Sequence, residues 1–456
     1  MNKITGNIRI SDSIKNVSKI SGGTMLGQLI SFIVVPIYTR IYGASIIGTW
    51  TLFSSIANII VTFSDLGLKN AIMVEKREED TIELYTVITT ITLFISLLSS
   101  IFIFAYFEIK PDESGLPPLL IAGFVFVLAI TLQQTQTCYT WLNKNSEYSV
   151  LMRNPVVNNL SAAVIIIILG LLGYQKYGYY IGLMAGQVIT LVHMRIHLPK
   201  QFLNFQKISY IKVYKSQKQF YCYQLPANVL AQIKEQIPVF LIRGFFGSEI
   251  LGYYSISMRY LKLPINLLAQ SIGRVYFQTV SKMRRDGVKY KEIGEYSLKN
   301  ITRAMKVAAI PMICIIAIGD VACRIMFGNG YEVAGNIMRI VAFNSFFLFL
   351  STATNGLAII IDKQKYILWA AITQLLGYSI GLCVGYYIFN NIYVGCLIMT
   401  VVYVVVQIVY FAVMFKQLNV NWKKYVLNVI ASIVLILVLS EGVRIIFYAL
   451  HIVSTL

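Results

Sequence analysis

The stretch PIYTRIYGASIIG at residues 36–48 returns in altered form as PVFLIRGFFGSEILG at residues 238–252. In each copy a proline near the end of an apolar run precedes an arginine, and two glycines bracket the start of the next run. These are Pro36, Arg40, Gly43 and Gly48 in the first copy, and Pro238, Arg243, Gly247 and Gly252 in the second. Both glycines recur at one offset, 204 positions from Gly43 to Gly247 and from Gly48 to Gly252. An internal repeat of this kind in an apolar chain predicts two lobes of like construction.

Working outward from the two copies, apolar runs stand at 17–38, 45–66, 82–107, 117–141, 148–173 and 177–198. Six more follow at 221–243, 249–273, 300–327, 333–361, 366–389 and 392–415, and a thirteenth at 425–440. A bilayer-spanning helix takes about 20 apolar residues. With 57% of residues hydrophobic, 13% charged and a mean hydropathy of +0.68, the expected fold class is an all-α polytopic membrane protein of 12–14 transmembrane helices. The expected domains are an N-terminal six-helix lobe (1–200), a basic cytoplasmic linker (201–220), a C-terminal six-helix lobe (221–416) and an extra membrane segment (417–456). The tail beyond Glu441 is short and interrupted by Glu441 and Arg444. No small-residue cleavage site follows the first run, so that run is expected to stay as an anchor.

The net charge of +19, from 39 Lys and Arg against 20 Asp and Glu, would suggest nucleic acid in a soluble protein. Here the basic residues sort by connection instead: 29 fall on the side of the N-terminus, six on the other and four inside the runs. That asymmetry predicts a cytoplasmic N-terminus and no nucleic-acid partner. The most basic connections, 195–218 and 274–306, suit attraction to anionic lipid. The six cysteines lie scattered, without paired spacing, and His193 and His197 have no carboxylate or cysteine beside them, so no metal site is expected. A phosphate-cradling glycine loop and a catalytic constellation are likewise missing from the sequence, and the connections opposite the N-terminus are too short for an extramembrane catalytic domain. The chain therefore reads as a non-enzyme.

Polar residues recur three or four apart, on one helix face, in the four runs that flank the two copies. The first run has Thr24, Gln28 and Ser31, and the second has Ser54, Asn58, Thr62 and Asp65. The seventh carries Gln224, Asn228, Gln232 and Glu235 with Lys234 beside them, and the eighth Ser255, Arg259, Lys262, Asn266 and Gln270. Hydroxyls and amides also serve as interhelical glue, which would account for the first two runs equally well. Ionised groups are harder to explain away, since each costs roughly 2.5–3.5 kcal/mol at mid-membrane. Lys234, Glu235, Arg259 and Lys262 must then meet one another or water. A Glu235–Arg259 pair would leave two positive charges, which invites an anion. Arg40 and Arg243 either guard the mouth of such a cavity or simply complement helix ends. Asp320 and Arg324, four apart, read as a local pair, and Arg339 has no partner that sequence can name.

These residues resemble the polysaccharide flippases of the multidrug/oligosaccharidyl-lipid/polysaccharide superfamily, the MOP superfamily. The resemblance covers residues 15 to about 416. It rests on GQLISFIVVPIYTRIYGASIIGTW (27–50), FSDLGLKNAI (63–72), LPINLLAQSIGRVYFQTVSK (263–282) and FGNGYEVAGNIMRI (327–340) followed by IDKQKYIL (361–368). The family often has proline where Gln278 stands, and some members carry fourteen helices. The resemblance implies a transporter in a bacterial cytoplasmic membrane that moves an undecaprenyl-diphosphate-linked oligosaccharide to the outer leaflet by alternating access, for O-antigen of lipopolysaccharide, capsule or similar polymers. Lys234, Arg259 and Lys262, with Arg40 and Arg243, would then contact diphosphate. Thr24, Gln28, Asn58, Asp65, Asn228, Gln232, Glu235, Asn266 and Gln270 would line the polar path. The implied partners are this lipid-linked substrate, membrane lipid, a polymerase and other assembly proteins. No cofactor is expected beyond a coupling Na+ or H+, with Asp65 or Glu235 as its carrier. A multidrug extruder of the same superfamily and, from another class, a polytopic polymerase or glycosyltransferase are the alternatives.

Overall fold

The computed structural model describes residues 2–199, 213 and 215–449, with side chains from residue 22 onward. The basic linker therefore lies largely outside the described residues, as does the tail after Ala449. The elements are α1 (Asn2–Asp65), α2 (Leu68–Val74), α3 (Glu78–Ile109), α4 (Pro118–Lys144), α5 (Tyr148–Leu171), α6 (Gly178–Arg195) and α7 (Leu225–Leu261). There follow α8 (Gln270–Arg285), α9 (Tyr290–Phe327), α10 (Glu332–Ala353), α11 (Leu357–Ile360), α12 (Lys365–Tyr387), α13 (Ile392–Gln417) and α14 (Trp422–Ala449). Two π-helical turns, Phe220–Gln224 and Ile265–Ala269, run into α7 and α8. Among the described residues no strand occurs and nine helical stretches are long and apolar enough to cross a membrane. The fold is all-α and polytopic. Every backbone N–H and C=O inside hydrocarbon needs an internal partner, which a helix supplies within itself.

The repeat in the sequence has a matching backbone event. Inside α1 the chain breaks helical geometry at Gly43 (φ 76°, ψ 168°), and inside α7 at Gly247 (φ 85°, ψ 179°). That backbone conformation is open to glycine and strained for other residues. Each copy is thus two helices joined at a glycine hinge.

The chain divides into two compact units, Met1–Gln236 and Ile237–Leu456, with the boundary inside α7. Within each unit glycines bring helices close. In the first, added Cβ atoms at Gly182 and Gly186 would meet Ile166 and Ala162 of α5 at 2.4 and 2.7 Å. In the second, Gly377, Gly381 and Gly385 form a ladder on α12. A Cβ at Gly385 would sit 2.5 Å from Cα of Gly395 on α13. Small residues at four-residue spacing are how membrane helices gain dispersion contact where lipid removes the hydrophobic drive between them. The outward faces fit the same solvent: Phe94, Leu97, Leu98, Ile101 and Phe102 of α3, and Leu427, Ile430, Val434 and Val438 of α14, are exposed. Inside, threonines are satisfied locally. Thr86, Thr89, Thr90 and Thr92 of α3 each donate to the carbonyl four residues back, at 2.8–2.9 Å.

α14 runs unbroken through Glu441 and Arg444 to Ala449. The polar residues do not interrupt it because Arg444 turns inward and is satisfied there. Its Nη1 and Nη2 donate to Oδ1 and Oδ2 of Asp320 at 3.3 and 2.9 Å, and Nη1 also reaches the carbonyl of Ala317 at 3.0 Å. This corrects the local Asp320–Arg324 pairing read from spacing. Asp320 goes to Arg444, with Arg339 at 3.5 Å, while Arg324 pairs across the Gly328 turn with Glu332 at 3.2 Å.

Candidate functional site

The first unit holds a polar cavity of about 370 Å³ bounded by α1, α2, α4 and the first turns of α7. FSDLGLKNAI builds one wall. After Asp65 the chain turns through two left-handed residues, Leu66 (φ 50°) and Gly67 (φ 74°), and α2 begins. Gly67 is required twice over, since a Cβ there would also lie 3.0 Å from the carbonyl of Phe220. Asp65, only 3% exposed, fixes this turn: its Oδ1 accepts the backbone N–H of Lys69 at 3.0 Å and faces Nε2 of Gln133 at 3.5 Å. Its carboxylate therefore caps α2, a structural task that the polar stripe alone does not reveal.

The turn aims Lys69 at the cavity, where its Nζ donates to Oε1 of Gln136 at 2.7 Å. No ion pair to Lys69 forms among the described residues. Asn58 and Thr62 contribute from α1, held by their own helix: Nδ2 of Asn58 donates to the Ser54 carbonyl, and Oγ1 of Thr62 to that of Asn58, each at 2.8 Å. From α7 come Asn228, Ala231 and Gln232, and Asn228 accepts from Nε2 of Gln224 at 3.0 Å. At about 100° per residue, Glu235 continues this face one turn on, where it is exposed, while half-buried Lys234 lies on the flank. The cavity thus collects the Lys69 ammonium and the Asp65 carboxylate among neutral amides and hydroxyls, a setting able to receive a polyhydroxylated group with an anionic substituent near Lys69.

Of the expected path residues, the cavity brings together Asn58, Asp65, Asn228 and Gln232. Thr24 and Gln28 are half-buried on α1, and Oε1 of Gln28 is buried with no hydrogen bond among the described residues. In the second unit Asn266 sits in the π-helical turn and accepts from Nε2 of Gln270 at 3.2 Å. Arg40, Arg259 and Lys262 are exposed and Arg243 is half-buried. The sequence reading missed Lys69, Asn70 and Gln136. Lys69 falls between the second and third apolar runs, where a basic residue reads as topology. The run QQTQT (133–137) in the fourth apolar stretch was the available signal, for it also supplies buried Gln133 and Gln134, the latter bonding Thr89 at 2.7 Å and the Tyr85 hydroxyl.

This arrangement of kinked, polar-lined membrane helices defines a transporter fold. The solved structure of the lipid II flippase MurJ in an inward closed conformation superposes with a TM-score of 0.66 at 14% identity, covering 96% of this chain and 99% of that one. An inward-facing multidrug resistance MATE family transporter of the MOP superfamily gives 0.59 at 13% identity, covering 89% and 94%. The family model described as polysaccharide biosynthesis protein matches residues 37–336, and the chain belongs to that family. It is 21% identical over 345 residues to the succinoglycan biosynthesis transport protein ExoT of Rhizobium meliloti, covering 72% of this chain and 66% of that protein. It is also 21% identical to the probable low-salt glycan biosynthesis flippase Agl15 of Haloferax volcanii, covering 73% and 68%. The chain thus spans about two thirds of the length of these relatives. Their names are those of transport proteins and flippases, and the shared fold is a transporter's rather than an enzyme's.

Proposed function

We propose that the chain is a flippase that carries an undecaprenyl-diphosphate-linked oligosaccharide from the cytoplasmic to the outer leaflet of a bacterial cytoplasmic membrane by alternating access, in surface polysaccharide synthesis. The observation that carries this reading is the polar cavity in which Lys69, bonded to Gln136, and the Asp65 carboxylate sit among amides and hydroxyls. Hydrogen-bonding and charged groups are costly to keep inside a membrane protein, and their retention in this lining is explained by a hydroxyl-rich cargo whose anionic group Lys69 can meet. Lys234, Arg259 and Lys262, with Arg40 and Arg243, are the proposed diphosphate contacts, and Thr24, Gln28, Asn228, Gln232, Asn266 and Gln270 the proposed sugar-facing amides and hydroxyls. The glycine hinges at Gly43 and Gly247 supply points where the path helices can bend.

With a cytoplasmic N-terminus, outward movement of an anionic headgroup is downhill by about 2.3 kcal/mol per charge per 100 mV. Coupling to Na+ or H+ through Asp65 or Glu235 is a further proposed contribution, and the polymerase that consumes the product is the proposed partner. The fold is equally that of multidrug extruders, but cationic drugs would want a net acidic lining, and here Lys69 offsets the one carboxylate in the cavity, Asp65.

The test reconstitutes the full chain in vesicles with a lipid-linked oligosaccharide in the inner leaflet. Wild type should expose the sugar to an external glycosidase, and Arg259→Ala or Lys262→Gln should slow exposure at unchanged protein abundance. Exposure at the protein-free rate in the wild-type vesicles would refute the reading.

A further inference from the structure

We propose that the second unit contains a separate recognition site for a sugar bearing an anionic substituent, carboxylate or phosphate, in the cavity beside Arg339. The site starts with a backbone break. α9 leaves helical geometry at Ile318 (φ −132°, ψ 16°), and the carbonyls of the two residues just before it turn to side-chain donors. Nε of Arg339 takes that of Ile316 at 2.7 Å, and Arg444 takes that of Ala317 at 3.0 Å. Close packing holds the break in place, since a Cβ at Gly335 would stand 2.4 Å from Cα of Asp320 and from the Gly319 carbonyl.

Charge then decides what the site can hold. Arg444 clamps both carboxylate oxygens of Asp320, whereas Arg339 reaches only 3.5 Å from Oδ2. Two guanidinium groups face one carboxylate, and the surplus positive charge falls on Arg339. Arg339, Asn336, Tyr393, Ile316 and Ile340 line a cavity of about 420 Å³, with no carboxylate among them. Nη1 of Arg339 lies 3.4 Å from Oδ1 of Asn336. Nη2 of Arg339, Nδ2 of Asn336 and the Tyr393 hydroxyl make no hydrogen bond among the described residues. Three donors therefore surround one space, two of them neutral, with isoleucine walls and an aromatic ring beside them.

A planar guanidinium with spare donors suits a carboxylate or phosphate. An aromatic face with neutral donors suits a sugar ring, and the volume falls within the roughly 300–1,000 Å³ of small-ligand sites. The flippase reading supplies the source of such a sugar, a charged unit of the transported glycan. The anion chemistry of the cavity stands without it.

Binding is tested on the purified full chain in nanodiscs of zwitterionic lipid by saturation-transfer NMR. The probes are methyl glucuronide and glucose 6-phosphate, with methyl glucoside as the neutral control. At least one charged probe should give transfer that the neutral one lacks. Asn336→Leu and Tyr393→Phe, which leave the Asp320–Arg444 clamp intact, should each weaken it at least tenfold, at unchanged melting temperature. Equal transfer to the neutral glucoside, no transfer to either charged probe, or transfer unaffected by both substitutions would overturn the proposal. So would abolition of binding when phosphatidylglycerol is added to the nanodisc, which would make the occupant a lipid headgroup. Loss of translocation with binding intact would count against the flippase reading alone.

Discussion

Asp320 and Arg444 provide a sharp energetic test, because their side chains are each only 16% exposed and meet through two oxygen–nitrogen contacts. Two unit charges about 4 Å apart at an effective dielectric near 20 attract by about 4 kcal/mol, and deleting one member of a buried pair typically costs about 3–5 kcal/mol. Asp320→Ala should fall in that range, since it strands Arg444 and also takes from Arg339 the one carboxylate it pairs with among the described residues. Arg444→Leu should cost somewhat less, because Arg339 stays within 3.5 Å to share the remaining charge. Replacing both together with apolar residues should recover at least half of the summed loss, as apolar side chains tolerate a helix interface where one stranded ion does not. The measurement is a double-mutant cycle on unfolding free energies, obtained by steric trapping in bicelles. Additive single effects, with no coupling between the two positions, would refute the reasoning, for they would mean that neither charge depends on the other.

Three further outcomes follow from the first unit and the helix packing. Asp65→Ala should destabilise the chain by about 1 kcal/mol through loss of the α2 cap, whereas Asp65→Asn, which keeps an acceptor for the Lys69 N–H, should leave the melting temperature nearly unchanged; if Asp65 carries the coupling ion, the Asn variant should also make vesicle transport insensitive to Na+ and proton gradients. Lys69→Gln should lower lipid-linked sugar export at least tenfold with normal abundance, measured as surface polysaccharide. Gly385→Ala should cost about 1–3 kcal/mol, because the new methyl would lie 2.5–2.6 Å from the backbone of Gly395. Membrane abundance by immunoblot checks it.

The membrane class was legible because lipid imposes length and apolarity on each span, as in the nine such stretches among the described residues, and the two hinge points because proline and glycine mark breaks that side-chain chemistry cannot hide. Gly43 and Gly247 are both read from sequence and found at matching backbone angles. Partner choice was not legible in the same way. The i, i+4 spacing of Asp320 and Arg324 suggests a pair on a regular helix, yet the break at Ile318 and the approach of α14 bring Arg444 to the carboxylate, and Arg324 turns to Glu332. Lys69 was hidden by its position after a turn, where a basic residue looks like topology. Gln136 was hidden because an uncharged amide barely disturbs a hydropathy profile.

The glycine ladder on α12 bears on how a genetic screen of this chain should be interpreted. Where two backbones touch through hydrogen atoms alone, almost any replacement is rejected during assembly, before cargo is ever encountered. Random loss-of-export alleles will therefore crowd onto positions such as Gly381 and Gly385, mimicking a hot region for recognition. Sorting survivors by surface quantity first is what lets alleles at the cargo path be told apart from those that never matured.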